Sequence, residues 1–257
     1  MCRPKMLTEE RHRFIRGQLA AQGSVLAGQL ATQFGVSEDT VRRDLRELAR
    51  AGECRRVYGG AVAMAPYAGS FSLRSNHAAD AKERLAAAAV DLVSARQTLF
   101  IDASTTNIAI AKALPGNFEL TVATNSIGVA AALAGHELVR LIVLGGVFDR
   151  DKGACLGGDT LQAIARISAD LFFLGACGVD ASRGVTAFDS AEAEVKRAMA
   201  ANSNGIAIAA TTDKLATAAP FRVAGPAAIS HLIVEKAAPA GILADFERCG
   251  AAVHLAG

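Results

Sequence analysis

Four arginines recur on one side of a short N-terminal stretch, at positions suited to recognising an anion. On a helical wheel with about 100° per residue, Leu45 and Leu48 fall within about 40° of Val41. The arginines fall between about 100° and 200°, on the opposite side. They are Arg42, Arg43, Arg46 and Arg50. Because guanidinium groups bind phosphates and guanine edges, the pattern predicts a helix that packs through its leucines and faces nucleic acid.

A purely structural interpretation of the same face stays open. Asp39 and Glu47 could pair with the arginines and leave only a solvated helix surface. The Gly35-Val36 turn, the short helix before it and the basic stretch after it favour DNA binding. A helix-turn-helix places the second of two such helices in the major groove.

Three helices and a β-hairpin are predicted to position the arginine face. The first helix runs from an N-cap at Thr8 to about residue 21, and the second from about residue 26 to residue 34. Ser37 caps the third helix, which ends near residue 50. Segment 53–62, with Gly59-Gly60 as its turn, is typical of a small hairpin or wing.

Seven residues of this region are expected to contact DNA. Thr40 and Arg43 are candidates for reading bases, and the other arginines suit phosphates, while Ser37 also suits a plain helix cap. The set comprises Ser37, Thr40, Arg42, Arg43, Arg46, Arg55 and Arg56.

A second group of polar residues and glycines follows predicted strands further along the chain. A strand ends at Asp102 and a helix begins near Thr105, so helix N-terminal amides and three hydroxyl groups could hold an anion. Two lysines are candidate counter-charges. The candidate effector-binding residues are Asp102, Ser104, Thr105, Thr106, Asn125, Gly145, Gly146, Gly175, Glu192, Lys196 and Lys214.

Each of these features also has an ordinary structural interpretation. Strand-to-helix turns use Ser and Thr as caps without any ligand, and a glycine pair such as Gly145-Gly146 often serves a tight turn. Glu192 and Lys196 lie four residues apart on a predicted helix and could form a surface ion pair. The strand-end features nevertheless share one position, directly after predicted strands. This position favours a ligand site, since open α/β sheets bind ligands at the carboxyl ends of strands.

Short apolar runs alternate with helical stretches from about residue 78 onward. This alternation predicts an α/β domain with a mainly parallel sheet covered by helices. The predicted strands span residues 98–101, 120–123, 139–144, 171–176, 206–210 and 231–234. The predicted helices include residues 79–94, 105–113, 126–134 and 190–201.

The 257 residues are expected to form two domains. Residues 1–62 form the winged helix-turn-helix, residues 63–77 form a linker punctuated by Pro66 and Gly69, and residues 78–257 form the α/β domain. The first 62 residues hold 11 Lys and Arg against 7 Asp and Glu, a net charge of +4, and the remainder carries −2. A basic head on a slightly acidic body indicates that the head meets nucleic acid.

Composition argues against several other classes of protein. The most apolar stretch, 85–93, is too short to span a membrane, and the N-terminus lacks the apolar segment of a secretory signal. The five cysteines are widely spaced and form no ligand cluster with histidine. We therefore expect a cytoplasmic protein without a metal site, a cofactor or membrane contact.

The run GVSEDTVRRDLRELARAG, followed by RRVYGGAV, resembles the N-terminal signature of the DeoR family of bacterial regulators. The resemblance continues through most of the second domain. Matching positions are 71–84 (with Phe71, Arg74 and Lys82), 102–106, 124–126, 145–146, 175 and 192–196. It implies a domain similar to ribose-5-phosphate isomerase and the CoA transferases, with a phosphorylated sugar or related catabolite as effector.

One short segment departs from the family pattern. The family often carries D-x-S-K at the lysine that corresponds to Lys214, whereas this chain has Thr211-Thr212-Asp213-Lys214. The contacts to the effector are therefore expected to differ locally.

These observations predict a repressor of a sugar-catabolism operon that binds double-stranded operator DNA as a homo-oligomer, either a dimer or a tetramer. A phosphorylated sugar would relieve the repression. One alternative is an isomerase-like enzyme with Asp102, Asp189 or Glu192 as the base, but it leaves the basic head unexplained. The other is an activator or dual regulator of the same architecture, which differs only in where its operator lies.

Overall fold

The computed structural model describes residues 6–65, 71, 74, 77–117 and 119–257. Most of the predicted linker, including Pro66 and Gly69, lies outside the described residues, as do residues 1–5. The N-terminal part contains α1 (Thr8–Gln22), β1 (Ser24–Leu26), α2 (Ala27–Phe34), α3 (Glu38–Arg50), β2 (Cys54–Val57) and β3 (Gly60–Met64).

The start of α1 differs from the prediction of a Thr8 cap. Leu7 is the N-cap, and its amide donates to Oε2 of Glu10 at 3.0 Å, so Thr8 is already the first helical residue. The Glu10 carboxylate thus reaches back to the amide of the N-cap residue, as in a capping box, and no side-chain oxygen caps the helix at Leu7. The helix ends at Gly23, whose φ of +73° suits a residue without a side chain.

Strand β1 is absent from the sequence prediction, which began the second helix at residue 26. Ser24, Val25 and Leu26 pair antiparallel with residues of β3, so α2 begins only at Ala27. Strand β2 pairs with β3 on its other side, from Cys54 opposite Ala63 to Val57 opposite Gly60. A run of three residues shows too little alternation to be recognised without its partner strand.

The predicted leucine stripe forms the core of the head. Val41, Leu45 and Leu48 of α3 are buried together with Ile15 and Phe34. Burial of such side chains stabilises the fold by about 1.5–3 kcal/mol each.

A buried ion pair also joins α1 to α3. The Arg11 guanidinium donates from Nε to Asp44 Oδ2 at 2.7 Å and from Nη2 to Oδ1 at 3.0 Å. The bidentate contact fixes α3 against α1, and so sets the direction in which the arginine face points.

The C-terminal part alternates strands and helices as predicted. It contains α4 (Ala79–Val90), β4 (Thr98–Ile101), α5 (Thr105–Ala113), β5 (Leu120–Thr124), α6 (Ile127–Leu133), β6 (Val139–Val143), β7 (Val147–Asp149), β8 (Ala154–Leu156), α7 (Gly158–Ile164), β9 (Ala169–Phe173), β10 (Gly178–Asp180), β11 (Gly184–Ala187), α8 (Ser190–Ala201), β12 (Ser203–Ala210), β13 (Thr217–Ala218), β14 (Phe221–Ala224), β15 (His231–Glu235), α9 (Ala240–Arg248) and β16 (Ala252–Ala256).

Seven parallel strands form the central sheet in the order β16-β15-β12-β9-β4-β5-β6. The six predicted strands all belong to it, so the predicted α/β fold with a mainly parallel sheet is confirmed. Alternating side chains serve two cores: Phe100 and Phe172 pack on one face, and Ile101 and Phe173 on the other. The carboxyl ends of all seven strands consequently meet at one edge.

The smaller antiparallel pieces lie outside what the pattern predicted. Strands β10, β11 and β14 form a three-stranded sheet, and β7 pairs with β8. These strands have three or four residues each, which is too short for a recognisable period. Helix α4 is also shorter than predicted, because the chain leaves the helix at Asp91 instead of continuing to residue 94.

The head and the α/β part share a sheet. Strand β13 pairs in parallel with β3, placing Thr217 opposite Ala63 and Ala218 opposite Met64. The amide of Ala65 donates to the carbonyl of Ala218 at 3.3 Å. The last strand of the wing is therefore hydrogen-bonded to a segment that follows β12.

Among the helices that the structure describes, none has both the length and the apolar character needed to cross a membrane.

Candidate DNA-binding face and sensor site

Helix α3 exposes the four arginines that the wheel placed on one side. Arg42, Arg43, Arg46 and Arg50 all lie on the surface, opposite the buried stripe. Ser37 caps the helix: its Oγ accepts from the Thr40 amide at 3.3 Å and lies 3.0 Å from the Thr40 hydroxyl. Ser37 and Thr40 thus hold each other at the helix start.

The arginines of this face differ in the partners they already have. Arg42 pairs with Glu38 at 2.7 Å and with Asp39 at 3.7 Å. Glu47, which the structural interpretation also offered as a partner, lies instead 3.9 Å from His12. Exposed pairs of this kind contribute less than about 1 kcal/mol, so a DNA phosphate can displace them.

The wing arginines point in different directions. Arg56 is exposed, whereas Arg55 is half-buried and donates from Nη2 to the Pro220 carbonyl at 3.1 Å. Adjacent residues of a strand face opposite sides, which explains the difference. Arg55 was expected to extend the DNA surface together with Arg56; its side chain contacts the α/β part, and a contact of Arg55 with DNA stays a prediction.

Asp102, at the end of β4, is the centre of the second candidate site. Its Oδ1 accepts from the Gly175 amide at 2.9 Å and from Nδ2 of Asn107 at 2.7 Å. Its Oδ2 accepts from Nζ of Lys196 at 2.6 Å. With both oxygens engaged, the carboxylate holds three elements together and is poorly placed to act as a catalytic base.

Lys196 is not the surface residue that its i, i+4 spacing with Glu192 allowed. It is only 3% exposed, and besides Asp102 it contacts Oε1 of Glu192 at 3.3 Å and the Gly175 carbonyl at 2.6 Å. The alternative of a solvated ion pair is therefore wrong for this pair. The i, i+4 spacing of Glu192 and Lys196 could not show that the face of α8 carrying both residues packs over the strand ends.

Opposing effects act on the pKa values of this buried pair. Burial by itself would lower the pKa of Lys196, but attraction to Asp102 and Glu192 outweighs it and raises that pKa above its ordinary value. Burial raises the pKa of Asp102, and the nearby Lys196 ammonium opposes this effect. Lys196 therefore carries its charge throughout the physiological range.

Gly175 sits where no side chain would fit. A Cβ added there would lie 2.5 Å from Cβ of Ser104 and 2.7 Å from Oδ1 of Asp102. The contact keeps the end of β9 close to the end of β4. Ser104 caps α5 by accepting from the Asn107 amide at 3.0 Å, so the predicted start of that helix near Thr105 is confirmed.

Further basic groups lie close to this cluster. Burial lowers the pKa of Lys214, and the negative charges of Cys177 and Asp213 oppose this effect. The positive charges of Arg74 and Lys196 add to the lowering. Burial also lowers the pKa of Lys82, and there too the neighbouring charges of Lys214 and Arg74 contribute. Lys82 donates to the Arg74 carbonyl at 2.6 Å. Four cationic side chains thus influence one another, and only Lys196 among them has a carboxylate partner within the described part of the chain.

The polar residues after β5 form a neighbouring group. Asn125 is buried and donates from Nδ2 to the Cys155 carbonyl at 3.0 Å. Its Oδ1 has no hydrogen-bond partner among the residues that the structure describes. A buried amide oxygen without a donor is costly, so this atom is suited to accept a hydrogen bond from a ligand.

The Gly145-Gly146 pair has a local structural explanation. Thr160 donates from Oγ1 to the Gly145 carbonyl at 2.6 Å. A Cβ on Gly146, whose φ is +139°, would lie 2.2 Å from that Oγ1 and 2.7 Å from the Leu156 carbonyl oxygen. Close packing against β8 and α7 accounts for Gly146 without a ligand, whereas a Cβ on Gly145 would meet nothing within 4 Å.

Strand order separates the predicted residues. Lys214 follows β12 and Gly145 follows β6, with β9, β4 and β5 between them. At about 4.8 Å per strand, the two ends lie roughly 19 Å apart, which is longer than a small sugar phosphate. Thr105 lines a groove of about 750 Å³ between α4, α5 and α6, which Lys82 also lines, while Thr106 is buried.

Sequence reasoning missed several residues around Asp102. Asn107 lies one helical turn beyond Ser104, and Lys152 reaches Asp189 at 3.6 Å from the β7–β8 hairpin. Arg74 and Lys82 were visible only as part of the family resemblance. Motif spacing cannot find such residues, because the sheet order brings them together.

Thr212, at the x position of the D-x-S-K pattern, binds a carboxylate of a neighbouring strand. Glu235, at the end of the neighbouring strand β15, accepts through Oε2 from the Thr212 amide and hydroxyl, both at 2.9 Å. A carboxylate from another strand therefore orders the turn that carries Lys214.

Two family models match the chain. The DeoR-like helix-turn-helix domain matches residues 11–66, and the DeoR C terminal sensor domain matches residues 77–236, more than half of the chain. The chain belongs to the DeoR family of transcriptional regulators. The predicted winged helix-turn-helix and sensor architecture is confirmed, and this DeoR-family protein carries a DNA-binding domain.

Curated relatives match over almost their whole length. The putative aga operon transcriptional repressor of Escherichia coli O157:H7 is 30% identical over 97% of this chain and 94% of its own. The glycerol-3-phosphate regulon repressor of Escherichia coli strain K12 is 30% identical over 93% and 95%. The regulator GolR of Listeria innocua is 29% identical over 98% and 100%. These relatives are transcriptional regulators, in agreement with the prediction of a regulator and not an enzyme.

Solved structures give a weaker match. Ribose 5-phosphate isomerase A from Neisseria gonorrhoeae has 16% sequence identity and a TM-score of 0.38, with 52% of each chain covered.

Proposed function

We propose that this DeoR-family protein represses a sugar-catabolism operon and releases its operator DNA when a phosphorylated sugar or related catabolite binds at the Asp102–Lys196 cluster. The observation that carries the proposal is Lys214: it is a half-buried cation that forms no ion pair with a carboxylate among the described residues, although Asp213 lies near enough to oppose the lowering of its pKa by burial. A bound anion would remove this electrostatic cost.

The phosphate group is assigned to the basic side. Burial lowers the pKa of Lys82, and the positive charges of Lys214 and Arg74 lower it further, which means that these charges repel across a short distance. A phosphate monoester carries close to two negative charges at neutral pH and accepts several hydrogen bonds. It is the ligand group that best satisfies such a cluster.

The sugar hydroxyls are assigned to acceptors on neighbouring strands. Glu192 contacts only Lys196 among described cations, and the Asn125 Oδ1 atom lacks a donor. Both atoms can accept from hydroxyl groups. We leave Gly145 and Gly146 out of direct contact with a small ligand, because of the strand spacing described above.

A short path connects this site to the head. Thr212–Lys214 form a single helical turn, and β13 begins three residues after Lys214. The carbonyl of Lys214 accepts from Oγ1 of Thr217, the residue opposite Ala63 of the wing. Movement of Lys214 toward a phosphate would therefore pull on the strand shared with the head. Couplings of about 1–3 kcal/mol would change operator affinity by roughly 5- to 150-fold.

The names of the relatives support a small phosphorylated effector. One is a repressor of a glycerol-3-phosphate regulon, and another is the putative repressor of the aga operon. We further propose a homo-oligomer in which two heads bind paired half-sites, as two-fold symmetric helix-turn-helix proteins do.

Thermal unfolding with a panel of sugar phosphates tests the proposal. A ligand that binds the folded state raises the melting temperature, and the Lys214→Ala variant should lose that increase. Lys236→Ala is the matched control, since Lys236 is an exposed lysine after β15. A panel that stabilises both variants equally would place the effector elsewhere.

A further inference from the structure

A small cleft separates the tip of the wing from the sensor domain. It has a volume of about 230 Å³ and is lined by Val57 and Tyr58 of the wing and by Ser182, Arg183 and Arg222 of the sensor domain. Tyr58 is fully exposed, so the cleft opens at the wing tip. Arg55 lies next to it, bound to the Pro220 carbonyl.

Arginines from both domains converge at this cleft. Burial lowers the pKa of Arg55, and the positive charge of Arg183 lowers it further. Arg197 adds another guanidinium behind the cleft, donating from Nη1 to the Arg222 carbonyl at 2.7 Å. Positively charged side chains of the wing and of the sensor domain therefore face each other at this cleft.

The structure offers these charges no acidic partner. Within the described ranges, Arg55, Arg183 and Arg222 form no ion pair, and the buried Nε of Arg183 has no hydrogen-bond acceptor. The nearest carboxylate in sequence, Asp180, already accepts from the Ser182 hydroxyl and the amides of Ser182 and Arg183. The cleft therefore presents donors and positive charge, with no carboxylate among the described residues that line it.

We propose that this cleft binds a backbone phosphate of DNA that flanks the bases contacted by α3, so that the sensor domain itself contacts the DNA. Guanidinium groups match phosphate oxygens through paired N–H donors. Continuity favours DNA over a free anion: the cleft lies at the tip of the wing, where Tyr58 is fully exposed, and the exposed Arg56 adds positive charge on the other face of the same strand.

The bound phosphate would also act on the junction between the domains. It neutralises the repulsion between Arg55 and Arg183, so DNA binding favours the arrangement in which β3 and β13 are paired. This inference rests on the DNA-binding head and not on the identity of the effector.

The test measures DNA affinity as a function of salt concentration. The full chain selects its own duplex from a random library, and the binding of Arg183→Gln, Arg222→Gln and the double variant is then compared with the native protein. Each lost phosphate contact should reduce the slope of log affinity against log salt by about 0.9. The double variant should lose affinity on the order of tenfold, for the selected duplex and for a scrambled one alike.

Two sets of variants guard against indirect effects. Arg140→Gln, on the edge strand β6, removes an equal charge and should leave the slope unchanged. Arg183→Lys with Arg222→Lys keeps the charges and should keep most of the slope. Because Arg222 is exposed, the single variant Arg222→Gln should fold normally. Its salt dependence tests the proposal if the double variant does not fold.

An unchanged slope in the folded Gln variants would overturn the proposal. A second arm measures the melting temperature with inorganic phosphate. If the Gln variants lose stabilisation by phosphate but keep the native DNA slope, the cleft binds a free anion and the DNA assignment is wrong. A failure of sugar phosphates to release DNA would count against the sensor proposal alone and leave this result standing.

Discussion

Nζ of Lys196 lies 2.6 Å from Oδ2 of Asp102, although 94 residues separate them in sequence. The contact joins α8 to the end of β4, and the Gly175 carbonyl and Glu192 complete the surroundings of the ammonium group. Both charges are almost completely buried. This pair therefore both stabilises the fold of the sensor domain and forms part of its candidate site.

Lys196→Met should destabilise the protein by about 3–5 kcal/mol, because it leaves the Asp102 carboxylate buried without a counter-charge. Urea unfolding of the sensor domain would measure the loss. Adding Asp102→Asn should recover part of it, since the remaining amide no longer carries a charge.

The exposed pair between Arg42 and Glu38 provides the control for that experiment. Glu38→Gln should cost less than about 1 kcal/mol. Equal losses for the exposed and the buried pair would contradict the arrangement around Asp102.

Effector binding should weaken as the pH rises above neutrality. The pKa of Lys214 is lowered in the free protein, so this lysine loses its proton, and its attraction for phosphate, at a lower pH than an ordinary lysine. Above about pH 7 the phosphate is already dianionic, so its own titration does not reverse the trend. Calorimetry in buffers of different ionisation enthalpy should also show proton uptake on binding.

Two substitutions at this position separate charge from shape. Lys214→Arg remains protonated and should remove most of the pH dependence in this range. Lys214→Met should reduce effector affinity by about 10- to 100-fold at pH 7, as expected for the loss of a charge-assisted contact. A pH profile that persists in the arginine variant would assign the titration to another group.

Gly23→Ala should uncouple the head from the sensor domain. Gly23 has a φ of +73°, and an added Cβ would lie 2.2 Å from Cβ of Ala216, next to β13. The variant should keep DNA binding and lose most of the response to effector. Anisotropy of labelled operator DNA, with and without sugar phosphate, measures both properties.

Gly52 offers a matched control for that substitution. Its φ is +75°, but nothing lies within 4 Å of an added Cβ. Gly52→Ala carries the same backbone strain, of about 1–2 kcal/mol, without the contact. If it reduced the effector response as much as Gly23→Ala, the shared sheet would not be the path.

Arg43→Ala should reduce operator affinity by about 10-fold or more and relax the base preference at one position, since this exposed arginine is free of ion pairs in the described structure. Arg13→Ala, an exposed arginine of α1, should have a much smaller effect. A uniform loss over all sequences for Arg43→Ala would reassign that residue to a phosphate.

Long periodic elements were predictable from the sequence, and short paired ones were not. The leucine stripe of α3 and the six apolar strands carry enough repeats to reveal their structure. Strand β13 has two residues and exists only because the wing pairs with it. The contact that ties the two domains therefore leaves no pattern in the sequence.

The candidate site likewise contains some residues that were predictable from the sequence and others that were not. Asp102 and Gly175 follow strands and were identifiable from that position. Asn107, Arg74 and Lys82 join them through the order of strands and the path of the chain across the sheet edge, neither of which a motif encodes. Lys196 was identifiable as a residue, but its burial depends on the face of α8 that packs on the sheet.

The most direct test of the account titrates sugar phosphates into the complex of the full chain with its selected operator duplex. At least one phosphorylated sugar should lower DNA affinity by roughly 5- to 150-fold, and Lys214→Ala should abolish that response while binding DNA normally. If no phosphorylated compound changes the affinity of the native protein, or if Lys214→Ala responds as the native protein does, the proposed sensing mechanism is wrong.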